Sequence, residues 1–190
     1  MKKIIVLFIL IIGFQFMKAQ SFQNTEKYVA VTEIKENGSE QPTCIVNLNR
    51  LGGISENLAT FRINDTELFE DIFITTLENP GLEGISEVIK MEVEYLACCA
   101  QVEAYYFLVT EDSNTIIPLP QLTNVYCENA DTDTQYTFPN QEYGIKGNIL
   151  ETETLYKETS EIIKYVNLKQ SLTWNDNKVS TIRNTAITSN

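Results

Sequence analysis

Residues 87–111, EVIKMEVEYLACCAQVEAYYFLVTE, are the longest run of strand-forming sequence in the chain. Ile89, Met91, Val93, Tyr95, Ala97 and Cys99 fall on one face of an extended strand, and Lys90, Glu92 and Glu94 fall on the other. This alternation predicts an antiparallel strand with one face wet. From Leu96 to Ala100 the polar face disappears, which implies cover on both sides or a bulge. Val102 to Glu111 then sets Tyr105, Phe107 and Val109 opposite Ala104, Tyr106 and Leu108, a pattern apolar on both faces that suits a central strand. Tyr105, Tyr106 and Phe107 are accordingly read as core residues before they are read as a stacking surface for sugars or peptides.

Upstream of this run, Tyr28 to Lys35 and Thr43 to Leu48 are rich in β-branched residues and are separated by a turn signal at Asn37-Gly38. Leu58 to Ile63 is a further short strand. Residues 64–77 fit two readings. Asn64 and Glu67 make a helix capping box, with Leu68, Phe69, Ile72 and Phe73 on one helical face, but the segment Ile72-Phe73-Ile74-Thr75-Thr76 has strand composition, which is preferred. The turn residues of 78–84, with Pro80-Gly81, mark the one place where a subdomain break is expected.

Downstream, Thr115 to Leu119 carries Pro118, with Pro120 just beyond, and so belongs at a sheet edge. Leu122 to Cys127, Tyr136 to Phe138, Ile149 to Glu158, Glu161 to Trp174 and Lys178 to Ile182 complete the strands. Glu128 to Gln135 reads as an acidic loop, Gln20 to Lys27 as a polar, mobile lead-in, and 184–190 as a loose tail. Many short strands separated by turns predict an all-β fold, an antiparallel β-sandwich or β-barrel, with one short helix near 65–76 as the option. A single β-rich domain over 20–183 is expected.

The amino terminus has three parts: Met1-Lys2-Lys3, a mostly apolar run from Ile4 to Phe16, and Met17-Lys18-Ala19. These are the parts of a secretory signal peptide, 1–19, cleaved after Ala19, and the apolar run is too short to span a bilayer. The mature chain is therefore expected to be exported, periplasmic or extracellular, without a transmembrane anchor. Loss of three lysines moves the net charge from −12 to about −15, a surface that repels nucleic acid and anionic lipid.

Chemistry is bounded by an absence, because the chain has no histidine. That removes Ser-His-Asp and Cys-His hydrolysis, HExxH metalloproteases and the usual zinc and copper sites. No catalytic residue and no cofactor is expected. Cys44, Cys98, Cys99 and Cys127 in an exported chain predict disulfides rather than a redox or metal cluster. Neighbours on a strand point to opposite faces, so one of Cys98 and Cys99 is expected to bond Cys127 and the other Cys44.

Asp131, Asp133, Gln135 and Glu142 match positions one, three, five and twelve of a calcium loop, but Tyr136 stands where such a loop needs glycine. A solvated acidic loop is the preferred reading. Glu92 with Glu94, and Glu151 with Glu153, share strand faces, and a carboxylate pair can hydrolyse glycosides if it spans a cleft. The expected function is an exported, non-catalytic binding or interaction protein of the cell envelope or exterior. Its partner would be a protein or a glycan. The alternative is a carboxylate-based hydrolase of envelope glycans. Mass spectrometry of the exported protein is expected to return a chain beginning at Gln20, and a mass that includes the first 19 residues would overturn the cleavage.

Overall fold

The structure, a computed structural model, describes residues 20–35, 42–52, 56–63, 65–112, 115–127, 132–158, 162–175 and 178–181. In chain order its strands are β1 (Gln23–Asn24), β2 (Tyr28–Lys35), β3 (Thr43–Arg50), β4 (Glu56–Ile63), β5 (Phe69–Glu78), β6 (Ile85–Tyr95), β7 (Ala100–Thr110), β8 (Ile116–Pro118), β9 (Leu122–Tyr126), β10 (Thr132–Thr137), β11 (Asn148–Glu158), β12 (Ile162–Asn175) and β13 (Lys178–Thr181). The fold is all-β with antiparallel pairing, and among the described residues there is no helix. Residues 69–78 resolve to strand: β5 pairs with β6 from Phe69↔Tyr95 to Glu78↔Glu87. The capping residue of the helical option, Asn64, lies outside the described residues. So do the signal segment, the Asn37-Gly38 turn and the 184–190 tail.

The strands form three sheets. A central sheet runs β1-β5-β6-β7-β8 with β9 also on β7, an amino-terminal sheet runs β2-β3-β4, and a carboxy-terminal sheet runs β10-β11-β12-β13. The β6–β7 pair has apolar residues on both faces, and each face has its own cover. Met91, Val93 and Tyr95 pack with Cys44, Val46 and Ile63 of the amino-terminal sheet. Ile89, Phe107 and Val109 pack with Tyr28 and Leu48 on the same side. On the opposite face Val88, Ala104, Tyr106 and Leu108 meet Tyr136, Phe138, Ile149, Leu172 and Trp174.

A bulge near Ser86 adjusts this two-sided pattern. The register of β6 on β7 shifts between Ile85 and Glu87, so Ile85 joins Val88 in the core shared with the carboxy-terminal sheet. The Ser86 hydroxyl donates to the carbonyls of Val109 (3.2 Å) and Thr110 (3.3 Å), and Glu87 is turned toward the amino-terminal sheet. There its carboxylate accepts from the Tyr28 phenol at 2.7 Å and lies 3.3 Å from the Lys27 ammonium.

One sequence expectation changes here. Gln20 to Lys27 is not a free lead-in: Phe22 sits edge-on to Tyr106 and Phe138, and β1 pairs with β5 through Gln23↔Thr76 and Asn24↔Thr75. A lone aromatic in a polar segment carries no periodic signal, which is why its burial was illegible. The 78–84 segment is the hairpin turn between β5 and β6. It also docks another loop, since Asn140 donates to the Pro80 carbonyl through its main chain (3.0 Å) and to the Asn79 carbonyl through its amide (2.9 Å). Gly81 has φ +86, an angle that favours glycine, and a Cβ there would lie 2.6 Å from Asn140 Oδ1 and force that side chain to shift.

The Tyr28–Glu87 contact predicts an alkaline transition. Burial first, then the Glu87 carboxylate, pushes the Tyr28 phenol from 10.0 up to about 12. The folded state holds this proton more tightly than the unfolded state, so the contribution is fully present below pH 10 and is lost as pH rises toward 12. Urea unfolding between pH 8 and 12 is expected to show stability falling over that window. Tyr28→Phe should make the fall shallower, and an unchanged slope would sink the assignment.

Candidate binding cleft

The cysteines divide into one bridge and two free thiols. Cys99 bonds Cys127 with their Cα atoms 4.6 Å apart, just beyond the last β7–β9 pair, Ala100↔Tyr126. The second expected bridge, from Cys44 to the other cysteine of the neighbouring pair, is not formed. Cys44 is 1% exposed in the layer between the amino-terminal and central sheets, and burial pushes its thiol pKa up. Cys98 lies exposed in the bend after β6. The alternation argument assumed a continuous strand through both cysteines, whereas the chain bends at 97–99.

Of the calcium-loop positions, Asp131 lies outside the described residues. Asp133 and Gln135 are on β10, so part of the acidic loop is extended strand, which carries them straight past one another instead of coiling them round an ion. The Asp133 carboxylate accepts from the Asn124 amide (3.1 Å) and the Tyr126 phenol (3.2 Å). Glu142 is exposed on the β10–β11 loop and raises the pKa of the neighbouring Tyr143 phenol by hydrogen bonding. Among the described residues no group of three or more Asp, Glu or Cys is placed to hold a metal ion.

Lysines lie against three of the four glutamates of the two pairs. Lys90 lies 2.6 Å from Glu92, and Lys169 lies 4.0 Å from Glu151 and 3.6 Å from Glu153. A different carboxylate pair, Asp65 and Glu103, lines a cleft of about 220 Å³ with Arg62 and Tyr95. Glu103 accepts from the phenols of Tyr105 (2.8 Å) and Tyr95 (3.2 Å), and Asp65 accepts from the Leu68 main chain at 3.3 Å. Burial, followed by Glu103, pushes the pKa of both phenols up.

A second cleft gathers polar side chains. A cleft of about 290 Å³ is lined by Gln20, Ser21 and Phe22 of the amino-terminal segment, Lys90 of the central sheet, and side chains of β10 to β12. Sheet register brings the latter together: Gln135 lies across from Thr152, and Thr154 across from Val166. The Thr137 and Thr152 hydroxyls bond each other at 3.0 Å, and Thr152 also donates to the Gln135 carbonyl at 3.3 Å. Thr154, 1% exposed, lines the same cleft with a hydroxyl that has no hydrogen-bond partner. A buried, unbonded hydroxyl costs about 1–3 kcal/mol, a cost a bound polar group removes.

The rim is rigid. Gln141 donates its main-chain N–H to the Phe138 carbonyl (2.9 Å), while its side-chain oxygen accepts from the Phe138 N–H (3.0 Å). Gly144 donates to the Gln141 carbonyl at 3.0 Å, and a Cβ on Gly144 would lie 2.1 Å from the Phe138 oxygen. Between them Tyr143 has φ +66, an uncommon angle for a bulky residue, and the residue is 58% exposed at the cleft. Sequence reasoning missed this site. Its threonines look like ordinary strand residues, and the only available signal was an aromatic in the turn-rich stretch 139–147.

Comparison with family models, curated proteins and solved structures finds no match for this chain. Among the described residues no helix is long and apolar enough to cross a membrane. Thiol labelling is expected to modify Cys98 at once in the folded protein and Cys44 only on unfolding. Two thiols labelled natively would contradict the buried placement of Cys44.

Proposed function

We propose that the protein is an exported, non-catalytic binding domain of the cell envelope or exterior, and that the cleft between the amino-terminal segment and the carboxy-terminal sheet holds its ligand. Export rests on the signal-peptide layout of residues 1–19 and fits the Cys99–Cys127 bridge. The single observation that carries the binding reading is the buried, unpartnered Thr154 hydroxyl among other polar side chains at one concave surface. The domain is taken to span residues 20–183, with sheets that share cores on both faces of β6 and β7.

A carboxylate-based hydrolase has one foothold, the Asp65–Glu103 cleft. Glycoside hydrolysis needs one carboxyl to arrive protonated. Glu103 already accepts from two phenols and Asp65 from a main-chain N–H, so both carboxyls are engaged within the fold. Binding is therefore the better account. The test is retention of solubilised envelope glycans and peptides on immobilised mature protein. Thr154→Leu, which fills the cleft with apolar volume, is expected to abolish retention while near-UV circular dichroism stays unchanged. Equal retention by a folded Thr154→Leu protein would overturn the cleft as the binding site.

A further inference from the structure

Cleft chemistry narrows the ligand class. Its lining charge is balanced or negative: Lys90 is held by Glu92 at 2.6 Å with its ammonium 5.9 Å from the Tyr106 ring centroid, and Glu142 adds a carboxylate. An anionic ligand would approach a chain of net charge −12 and meet Glu142 at the cleft, whose cations are Lys90, already paired with Glu92, and the α-amino group that cleavage after Ala19 would leave on Gln20. An apolar ligand would leave the Thr154 hydroxyl without a partner. The volume of about 290 Å³ sits at the lower end of small-ligand clefts and suits a compact ring, not an extended polypeptide.

Hydroxyls and primary amides each donate and accept, so the lining suits a ligand whose own groups do both. Tyr143 supplies the complementary apolar element. The left-handed backbone at φ +66, locked by the Gln141 and Gly144 hydrogen bonds, holds an exposed ring at the rim without the ordering cost of a mobile loop. A flat ring beside polar groups suits a sugar, with its apolar C–H face and hydroxylated edge.

We infer that the cleft binds a neutral sugar unit, with its C–H face against Tyr143 and its hydroxyls bonded to Thr154, Gln135 and Gln141. This deepens the cleft reading and rests on it. The terminal or side-branch unit of a neutral glycan fits, since a cleft of about 290 Å³ takes one ring.

The test follows amide and side-chain NMR signals of the processed protein during titration with maltose, lactose and chitobiose. Galacturonate and inorganic phosphate serve as anionic probes. A neutral sugar is expected to shift the signals of Thr154, Gln135 and Tyr143, with saturation. Thr154→Val is expected to weaken that binding about 5–10-fold, the worth of one hydrogen bond, and Tyr143→Ala about tenfold. Shifts at these residues with an anionic probe and with no neutral sugar would overturn the ligand class and leave the cleft standing as a binding site. No shift at these residues with any probe would overturn the sugar inference. If envelope material is nevertheless retained in a Thr154-dependent way, the cleft reading survives that loss.

Discussion

One constraint shapes the molecule: the β6–β7 pair is apolar on both faces, so neither face can be left to water. Ile89, Phe107 and Val109 point one way, Val88, Ala104, Tyr106 and Leu108 the other, and all are buried. A two-layer sandwich would leave one of these rows exposed, at a cost of about 25 cal/mol per Å² of apolar surface. The chain answers with a sheet on each side. The bulge at Ser86 fits this demand, because it lets Ile85 and Val88 share a face while freeing Glu87 to meet Tyr28 and Lys27.

The seams between layers are polar where they cannot be apolar. Asn124 of β9 donates through its amide to the Thr134 carbonyl (3.0 Å) and accepts from the Thr134 N–H (2.8 Å), so one side chain stands in for a strand partner and joins β9 to β10. Tyr136, packed edge-on to Tyr106 at 5.0 Å, sends its phenol to the Pro120 carbonyl at 3.2 Å. The cleft belongs to the same economy of packing. Where Phe22, Lys90 and the threonines of β11 meet, the layers do not close fully, and polar side chains remain with one hydroxyl unspent.

Strand positions were largely legible because alternation survives wherever one face is wet. β2 was read at its observed bounds, and the edge character of β8 followed from Pro118, since proline has no N–H to donate. Legibility failed where structure comes from distant partners. Phe22 is held by Tyr106 and Phe138, far away in sequence, and Thr132 to Gln135 form strand because β11 offers a partner, against an acidic composition that resembles a loop. The cysteine pairing failed in part for a related reason. Cys98 and Cys99 sit on a bend, so strand parity did not govern where their sulfurs point.

By itself the sequence determined the all-β class, the two-faced character of residues 87–111, the strongly acidic charge and the exclusion of histidine chemistry. Composition and periodicity are local properties, and each of these follows from them. Only the tertiary structure decided that two separate sheets cover that run, that Cys99 alone of the neighbouring pair reaches Cys127, and that Thr154 ends up buried beside Gln135 and Tyr143. Those outcomes depend on register and on the meeting of chain segments more than a hundred residues apart, such as Ser21 and Thr154, which no local pattern encodes.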